Sequence, residues 1–110
     1  MAYGRAPLQI GVIWEGVIAT VTVSGELDLT SAPRLTECLL KVGETHPERL
    51  VLDLSGLVFV DVAGARALDA SYQALEAVCP VILRRPQPSA RKVFRRSGLM
   101  DDEGTSGAPA

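Results

Sequence analysis

The apolar stretch RLVLDLSGLVFV, residues 49–60, constrains the fold more than any other part of this sequence. It is rich in leucine and β-branched residues and lacks the strict alternation of a strand with one face in water. We therefore predict a strand in the middle of a sheet, covered on both faces or nearly so. A single carboxylate, Asp61, separates it from Val62, Ala63 and Gly64, where a second helix is predicted to begin.

Before this stretch the pattern predicts a β-hairpin and a helix. The hairpin joins strands at residues 8–12 and 17–23 by a short turn at Gly16, and Gly25 is predicted to close its second strand. Thr30 or Ser31 is expected to cap the helix, and Gly43 is expected to stop it. Helical spacing gives this first helix one apolar face, made of Leu35, Cys38, Leu39 and Val42.

After the apolar stretch the pattern continues with a helix, a short strand and a third helix. The second helix is expected to run to about Val78, with an inner face of Ala65, Leu68, Tyr72 and Leu75. PVIL, residues 80–83, predicts a strand, and QPSARKVFRRSGL, residues 87–99, predicts the third helix. The order β-β-α-β-α-β-α indicates one α/β domain over residues 1–100, with a mixed sheet and packed helices, followed by a disordered tail at 101–110.

The charge and hydropathy of the chain exclude several classes of partner. Its 110 residues carry a formal net charge of −2, which gives no reason to expect nucleic-acid binding. A basic cluster at residues 84–96 is interpreted as the solvated side of the third helix, with a cationic patch for nucleic acid or anionic lipid as the lesser alternative. No apolar run reaches the roughly 18 residues of a membrane span. The first residues lack the apolar region of a signal peptide, so we expect a cytoplasmic protein with no direct membrane contact.

No motif in the sequence predicts catalysis, a metal or a cofactor. The one histidine, His46, falls in a predicted loop, and the glycines form no dinucleotide-binding pattern. Cys38 is expected to be buried and Cys79 more exposed, and a regulatory disulfide between them is a minor alternative. Asp28 and Asp61 could form an acid–base pair, but an N-cap role for Asp61 is the stronger interpretation. We therefore predict a non-enzymatic protein without a cofactor.

Three stretches, taken in order, resemble the STAS domain of bacterial anti-sigma factor antagonists. They are VSGELDLTSAPRL at residues 23–35, RLVLDLSGLVFVDVAG at 49–64 and PSARKVFRRSGL at 88–99. The resemblance covers roughly residues 8–100 and implies a regulatory protein that binds an anti-sigma factor, itself a GHKL-type Ser/Thr kinase, and so frees a sigma factor. In that partner-switching pathway, the kinase phosphorylates a serine directly after the loop aspartate and thereby breaks the complex.

Matched residue by residue, the resemblance makes Asp61 the loop aspartate and Val62 the degenerate phosphoacceptor position. Ala63 and Gly64 complete the loop, and Asp28 matches the aspartate of the first signature, close to the acceptor. Arg66 and Asp69 depart from the small or aliphatic residues usual after the loop glycine. A cation near a helix N-terminus is mildly unfavourable, which hints at a use of Arg66 outside the fold, although a solvated arginine is the commoner explanation. The implied partner-binding residues are therefore Asp28, Asp61, Val62, Ala63, Gly64 and Arg66. Because Val62 has no hydroxyl, the chain is expected to bind its partner constitutively or to have left partner switching.

Two further expectations follow where the chain differs from the family pattern, at its last residues and at the phosphoacceptor position Val62. MDDEGTSGAPA stands where the family usually has a last strand and helix, so apolar surface is left for a homodimer to cover. Ser24, Thr30, Ser31 and Ser55 are alternative phosphate acceptors. The alternative function is that of a cytoplasmic STAS subunit of an ABC-type lipid transporter, which need not keep the acceptor serine.

Overall fold

A computed structural model describes residues 6–84, in which four strands and two helices follow one another as β-β-α-β-α-β. The strands are β1 (Gln9–Glu15), β2 (Ile18–Leu27), β3 (Arg49–Val60) and β4 (Val81–Arg84), and the helices are α1 (Ala32–Glu44) and α2 (Val62–Glu76). The strands form one sheet in the order β1-β2-β3-β4. β1 is antiparallel to β2, whereas β2, β3 and β4 are parallel. The predicted α/β fold with a mixed sheet is confirmed, and the predictions for the third helix and the tail lie outside the described residues.

The predicted hairpin is confirmed, but its second strand is longer than expected. Gly16 has a φ of +64° in the turn, a conformation that glycine adopts without strain. Gly25 does not close β2, which continues to Leu27. Gly25 has a φ of +90°, and a β-carbon there would collide with the backbone of Pro7, so the glycine lets the segment before β1 lie against the strand. The prediction was wrong because this close approach, and not a chain end, requires the glycine.

The central strand β3 lies between β2 and β4, as its apolar pattern predicts. Its core-facing leucines are completely buried: Leu50, Leu52, Leu54 and Leu57. On the opposite face Val51 is buried and Asp53 is half-buried, whereas Ser55, Val58 and Phe59 are exposed. Coverage of both faces therefore applies only to the first third of β3, residues 50–53, which pair with β4. Each buried leucine contributes about 1.5–3 kcal/mol relative to an exposed one, so this strand anchors the core.

The helices present the predicted apolar faces to this core. Leu35, Leu39 and Val42 of α1 are buried, as are Ala65, Leu68, Tyr72 and Leu75 of α2. Gly43 does not stop α1, which continues to Glu44 and is followed by a turn at Thr45. The glycine is buried in the last turn of α1, where a β-carbon would lie 2.7 Å from Cδ2 of Leu75. Gly43 therefore allows the two helices to approach closely, and α2 ends at Glu76, two residues before the predicted end.

The exposures predicted for the two cysteines are reversed in the structure. Cys38 is half-buried beside the core, and Cys79 is buried. Both thiols are free, and burial raises the pKa of each, with Lys41 partly offsetting the effect at Cys38. Cys79 was predicted to be more exposed because it follows the predicted end of α2. The backbone N–H of Cys79 donates to the carbonyl of Leu75, which keeps the chain against the core for one more turn.

Candidate functional site

Asp61 caps α2, as the sequence predicts. Its φ and ψ of −95° and 174° are extended, and its Oδ1 atom accepts a hydrogen bond of 2.6 Å from the backbone N–H of Gly64. Its carbonyl accepts the first bond of the helix, from the N–H of Ala65, at 2.9 Å. A carboxylate here satisfies a free N–H and lies at the positive end of the helix dipole. The change of direction from β3 into α2 is therefore fixed by a single side chain, and we call residues 61–64 the corner.

The corner is attached to the end of β2 through the carbonyl of Leu27. The backbone N–H of Asp61 donates to this carbonyl at 3.1 Å. Gly64 approaches the same group, and a β-carbon at position 64 would lie 2.6 Å from the Leu27 oxygen. Gly64 is thus required by packing between two distant segments, which no local pattern in the sequence could indicate.

Asp28, the residue after Leu27, organises the loop that leads into α1. Its Oδ1 atom accepts hydrogen bonds from the backbone N–H groups of Thr30 and Ser31, at 3.0 and 2.9 Å. The Ser31 hydroxyl lies 3.1 Å both from this oxygen and from the carbonyl of Glu26, and it accepts the N–H of Asp28 at 3.0 Å. These contacts form a closed network, so the loop before α1 is held in one conformation beside the corner.

The prediction that Thr30 or Ser31 caps α1 is confirmed for the position of Ser31 but not for its side chain. Ser31 occupies the N-cap position, but its hydroxyl makes no cap hydrogen bond to the helix. The hydroxyl is engaged by Asp28 and by the carbonyl of Glu26 instead. Pro33 lies in the first turn of α1, where a missing backbone N–H costs no helix hydrogen bond.

The surface of the corner is apolar and accessible. Val62 is 45% exposed in the first turn of α2, and Arg66 is exposed one turn later, on the same face of the helix. Leu29, in the loop that Asp28 organises, is 72% exposed. A groove of about 560 Å³ runs between α1 and α2, and both Leu29 and Ala63 line it. The exposed Leu29 and the corner residue Ala63 therefore border the same groove.

Backbone contacts with Leu27 bring Asp28, Asp61 and Gly64 to the same end of the sheet. Asp28 follows Leu27, and Asp61 and Gly64 contact the Leu27 carbonyl, so all belong to one end of the sheet. Each carboxylate has a structural task, which supports the capping interpretation of Asp61 over an acid–base pair. In residues 6–84, histidine, cysteine and carboxylate side chains form no cluster of three that would suit a metal ion.

The sequence signatures and this geometry agree with a comparison against protein families, in which the STAS domain matches residues 12–106. The chain belongs to the STAS domain family. The anti-sigma-F factor antagonist RsfB of Mycobacterium tuberculosis is 34% identical over 56 residues, which are 51% of this chain and 46% of RsfB. In that alignment the chain spans about half the length of the curated relatives it matches.

Two solved structures extend the similarity to most of the STAS domain. An anti-sigma factor antagonist from Mycobacterium paratuberculosis is 32% identical with a TM-score of 0.70, over 84% of this chain and 80% of that one. The Bacillus antagonist SpoIIAA, in its unphosphorylated form, is 25% identical with a TM-score of 0.65, over 84% of this chain and 82% of its own. The family and the fold that the three sequence stretches predict are therefore confirmed. None of the helices in the described part is long and apolar enough to cross a bilayer.

Proposed function

We propose that this STAS domain is an anti-sigma factor antagonist that binds an anti-sigma factor through the corner at residues 61–64. The observation that carries the proposal is the half-exposed Val62, whose neighbour Ala63 lines the same groove between α1 and α2 as the exposed Leu29. The similarity to antagonists from two mycobacteria supports the class of partner. The protein acts in the cytoplasm, by binding and not by catalysis.

Three of the six candidate residues contact the partner, and the other three hold the binding surface in position. Val62, Ala63 and Arg66 provide the surface that the partner contacts. Asp61 and Gly64 fix the direction of that surface, through the helix cap and through the contact with Leu27. Asp28 fixes the adjoining loop and with it Leu29. A preorganised surface loses little conformational entropy on binding, so support residues contribute to affinity without contacting the partner.

Val62 makes this binding independent of phosphorylation at the corner. A phosphate would add about −1.5 to −2 charges and three acceptor oxygens, which an acidic or apolar partner surface would reject. Residues 59–66 contain no serine, threonine or tyrosine to carry it. Val62 adds apolar area in place of the acceptor hydroxyl. The antagonist therefore stays competent to bind while the anti-sigma kinase is active.

Affinity capture followed by a kinase assay tests the proposal. The tagged full chain should recover a GHKL-type anti-sigma factor, whereas recovery of an ABC ATPase alone would support the transporter subunit instead. Incubation of the captured kinase and ATP with the full chain, followed by peptide mass spectrometry, should leave residues 59–66 unmodified. Stoichiometric phosphate on Thr30, Ser31 or Ser55 would show that the switch has moved to another hydroxyl and would contradict phosphorylation-independent binding.

A further inference from the structure

The hairpin strand β1 leaves apolar side chains uncovered on the core side of the sheet. Val12 pairs with Val21 and Trp14 pairs with Ala19, so each pair lies on the same face. Val21 and Ala19 are completely buried, yet Val12 and Trp14 are 39% and 45% exposed. The described part of the chain therefore covers this face above β2 and leaves it open above β1.

Within residues 6–84, the outer edge of β1 is uncovered and has little of the sequence protection that keeps edge strands from pairing. Within the described residues β1 pairs only with β2, along an unbroken register. Its seven residues, QIGVIWE, include no proline and no lysine, and their one charge is Glu15 at the end of the strand. Charges, prolines and bulges are the usual protection of such an edge, and this strand has only the terminal charge.

We propose that two copies of the chain associate through antiparallel pairing of β1 with β1, about a twofold axis at Val12. A twofold interface requires this antiparallel arrangement, in which each contact occurs twice. The register uses the whole strand and places Ile10 opposite Trp14 and Gln9 opposite Glu15 of the second copy. It brings no two carboxylates together, and it joins the two sheets into one of eight strands from the described parts.

In this register the indole of Trp14 from the second copy lies at a groove beside β1. The groove has a volume of about 320 Å³ and is formed by Ile10 with Arg34, Glu37, Cys38, Lys41 and Val42 of α1. Because Ile10 is opposite Trp14 of the second copy, that indole covers Ile10 at the mouth of the groove. An aromatic residue beside a β-branched residue is a favourable cross-strand pair. Lys41, whose ammonium pairs with Glu37 at 3.4 Å, also lines the groove, and an ammonium can contact the face of an indole favourably.

Sedimentation equilibrium of the full chain tests this interface without any other protein. The parent should show a reversible monomer–dimer equilibrium between about 1 µM and 1 mM, the range of weak specific interfaces. Val12→Lys places two ammonium groups directly opposite each other and should weaken dimerisation at least about tenfold. Val17→Lys is the control, because Val17 is 60% exposed in the same hairpin but lies outside β1. It should dimerise like the parent, and thermal melts should show that both variants are folded.

Disulfide trapping tests the register. Under mild oxidation Val12→Cys should form a dimer linked through position 12, because the two residues on the axis lie within the roughly 7 Å that a disulfide spans. Val17→Cys, with the same native thiols, should not form the corresponding link. A parent that stays monomeric up to about 1 mM would overturn the proposal, as would equal dimerisation of Val12→Lys and the parent. Equal cross-linking of the two cysteine variants would overturn the register.

Discussion

Gly64 of α2 lies against the carbonyl oxygen of Leu27, so closely that a β-carbon at position 64 would be 2.6 Å from that oxygen. The same carbonyl accepts the N–H of Asp61 at 3.1 Å. One backbone group at the end of β2 therefore fixes both the start of α2 and the distance between the corner and the loop that Asp28 organises. The proposed binding surface depends on this contact, although neither Leu27 nor Gly64 supplies its chemistry.

Gly64→Ala should destabilise the protein, whereas Gly43→Ala should not. The new β-carbon at position 64 meets backbone that cannot move freely, which we expect to cost about 1–3 kcal/mol of unfolding free energy. At position 43 the β-carbon meets the end of the Leu75 side chain and not backbone, so a small shift of that side chain suffices, and the gain of about 1 kcal/mol in helix propensity offsets its cost. Chemical denaturation measures both variants. Equal losses of unfolding free energy in the two variants would mean that the contact with Leu27 does not restrict position 64 to glycine.

Leu68→Ala should cost about 2–5 kcal/mol, because Leu68 is buried in the core and truncation leaves a cavity. Arg66→Ala, two residues earlier on the exposed face, should change the unfolding free energy by less than about 0.5 kcal/mol. Denaturation midpoints provide the comparison. Similar losses in the two variants would show that the register of α2 is wrong. The assignment of Val62 and Arg66 to the accessible face would then also be wrong.

Asp53 should make the fold sensitive to acid. Burial raises the pKa of this carboxyl, but the hydrogen bonds from Ser55 and the charge of Arg84, 3.6 Å away, outweigh burial and leave the pKa below its ordinary value of 3.8. A lowered folded-state pKa stabilises the protein above the unfolded pKa, and that stabilisation is lost as the pH falls through the folded value. Asp53→Asn should therefore lose stability at pH 7, and its difference from the parent should shrink below about pH 4. Thermal melts across that range give the difference, which would stay constant if Asp53 contributed nothing by its charge.

The local features of the fold could be predicted from the sequence, whereas the contacts between distant segments could not. The hairpin, the central position of β3 and the Asp61 cap each follow from residues close together in the chain. Ser31 was assigned a cap because serine at a helix start commonly serves as one, but Asp28 and the Glu26 carbonyl compete for its hydroxyl. Gly25 and Gly43 were interpreted as ends because glycine often ends an element. At Gly25 the cause is the backbone of Pro7, which leaves no room for a β-carbon, and at Gly43 it is the close packing of Leu75 from α2.

The candidate site also combines features that the sequence predicts with contacts that it does not. The three sequence stretches indicated the family and the corner, because their residues are contiguous. The role of Leu27, the exposure of Leu29 and the groove between α1 and α2 arise only when β2, α1 and α2 pack together. A sequence pattern does not indicate which backbone carbonyl packs against a given glycine.

Val62→Ser should restore a phosphoacceptor while keeping the binding surface. Serine fits the exposed first turn of α2, and the loss of the valine methyl groups should reduce affinity for the anti-sigma factor by no more than about 1–2 kcal/mol. With the cognate kinase and ATP, peptide mass spectrometry should find phosphate at position 62 of this variant and none there in the parent. The absence of phosphate on serine at that position would indicate that the kinase does not reach the corner.

The most direct test of the account is isothermal titration of the cognate anti-sigma factor with the parent and with Val62→Asp. The aspartate brings an unpaired charge into a desolvated contact next to Asp61, while the free protein tolerates a carboxylate at a helix N-terminus. We expect affinity to fall at least about a hundredfold, equivalent to about 2.7 kcal/mol, with the unfolding midpoint nearly unchanged. If Val62→Asp binds as tightly as the parent, the corner is not the interface and the proposed function is contradicted.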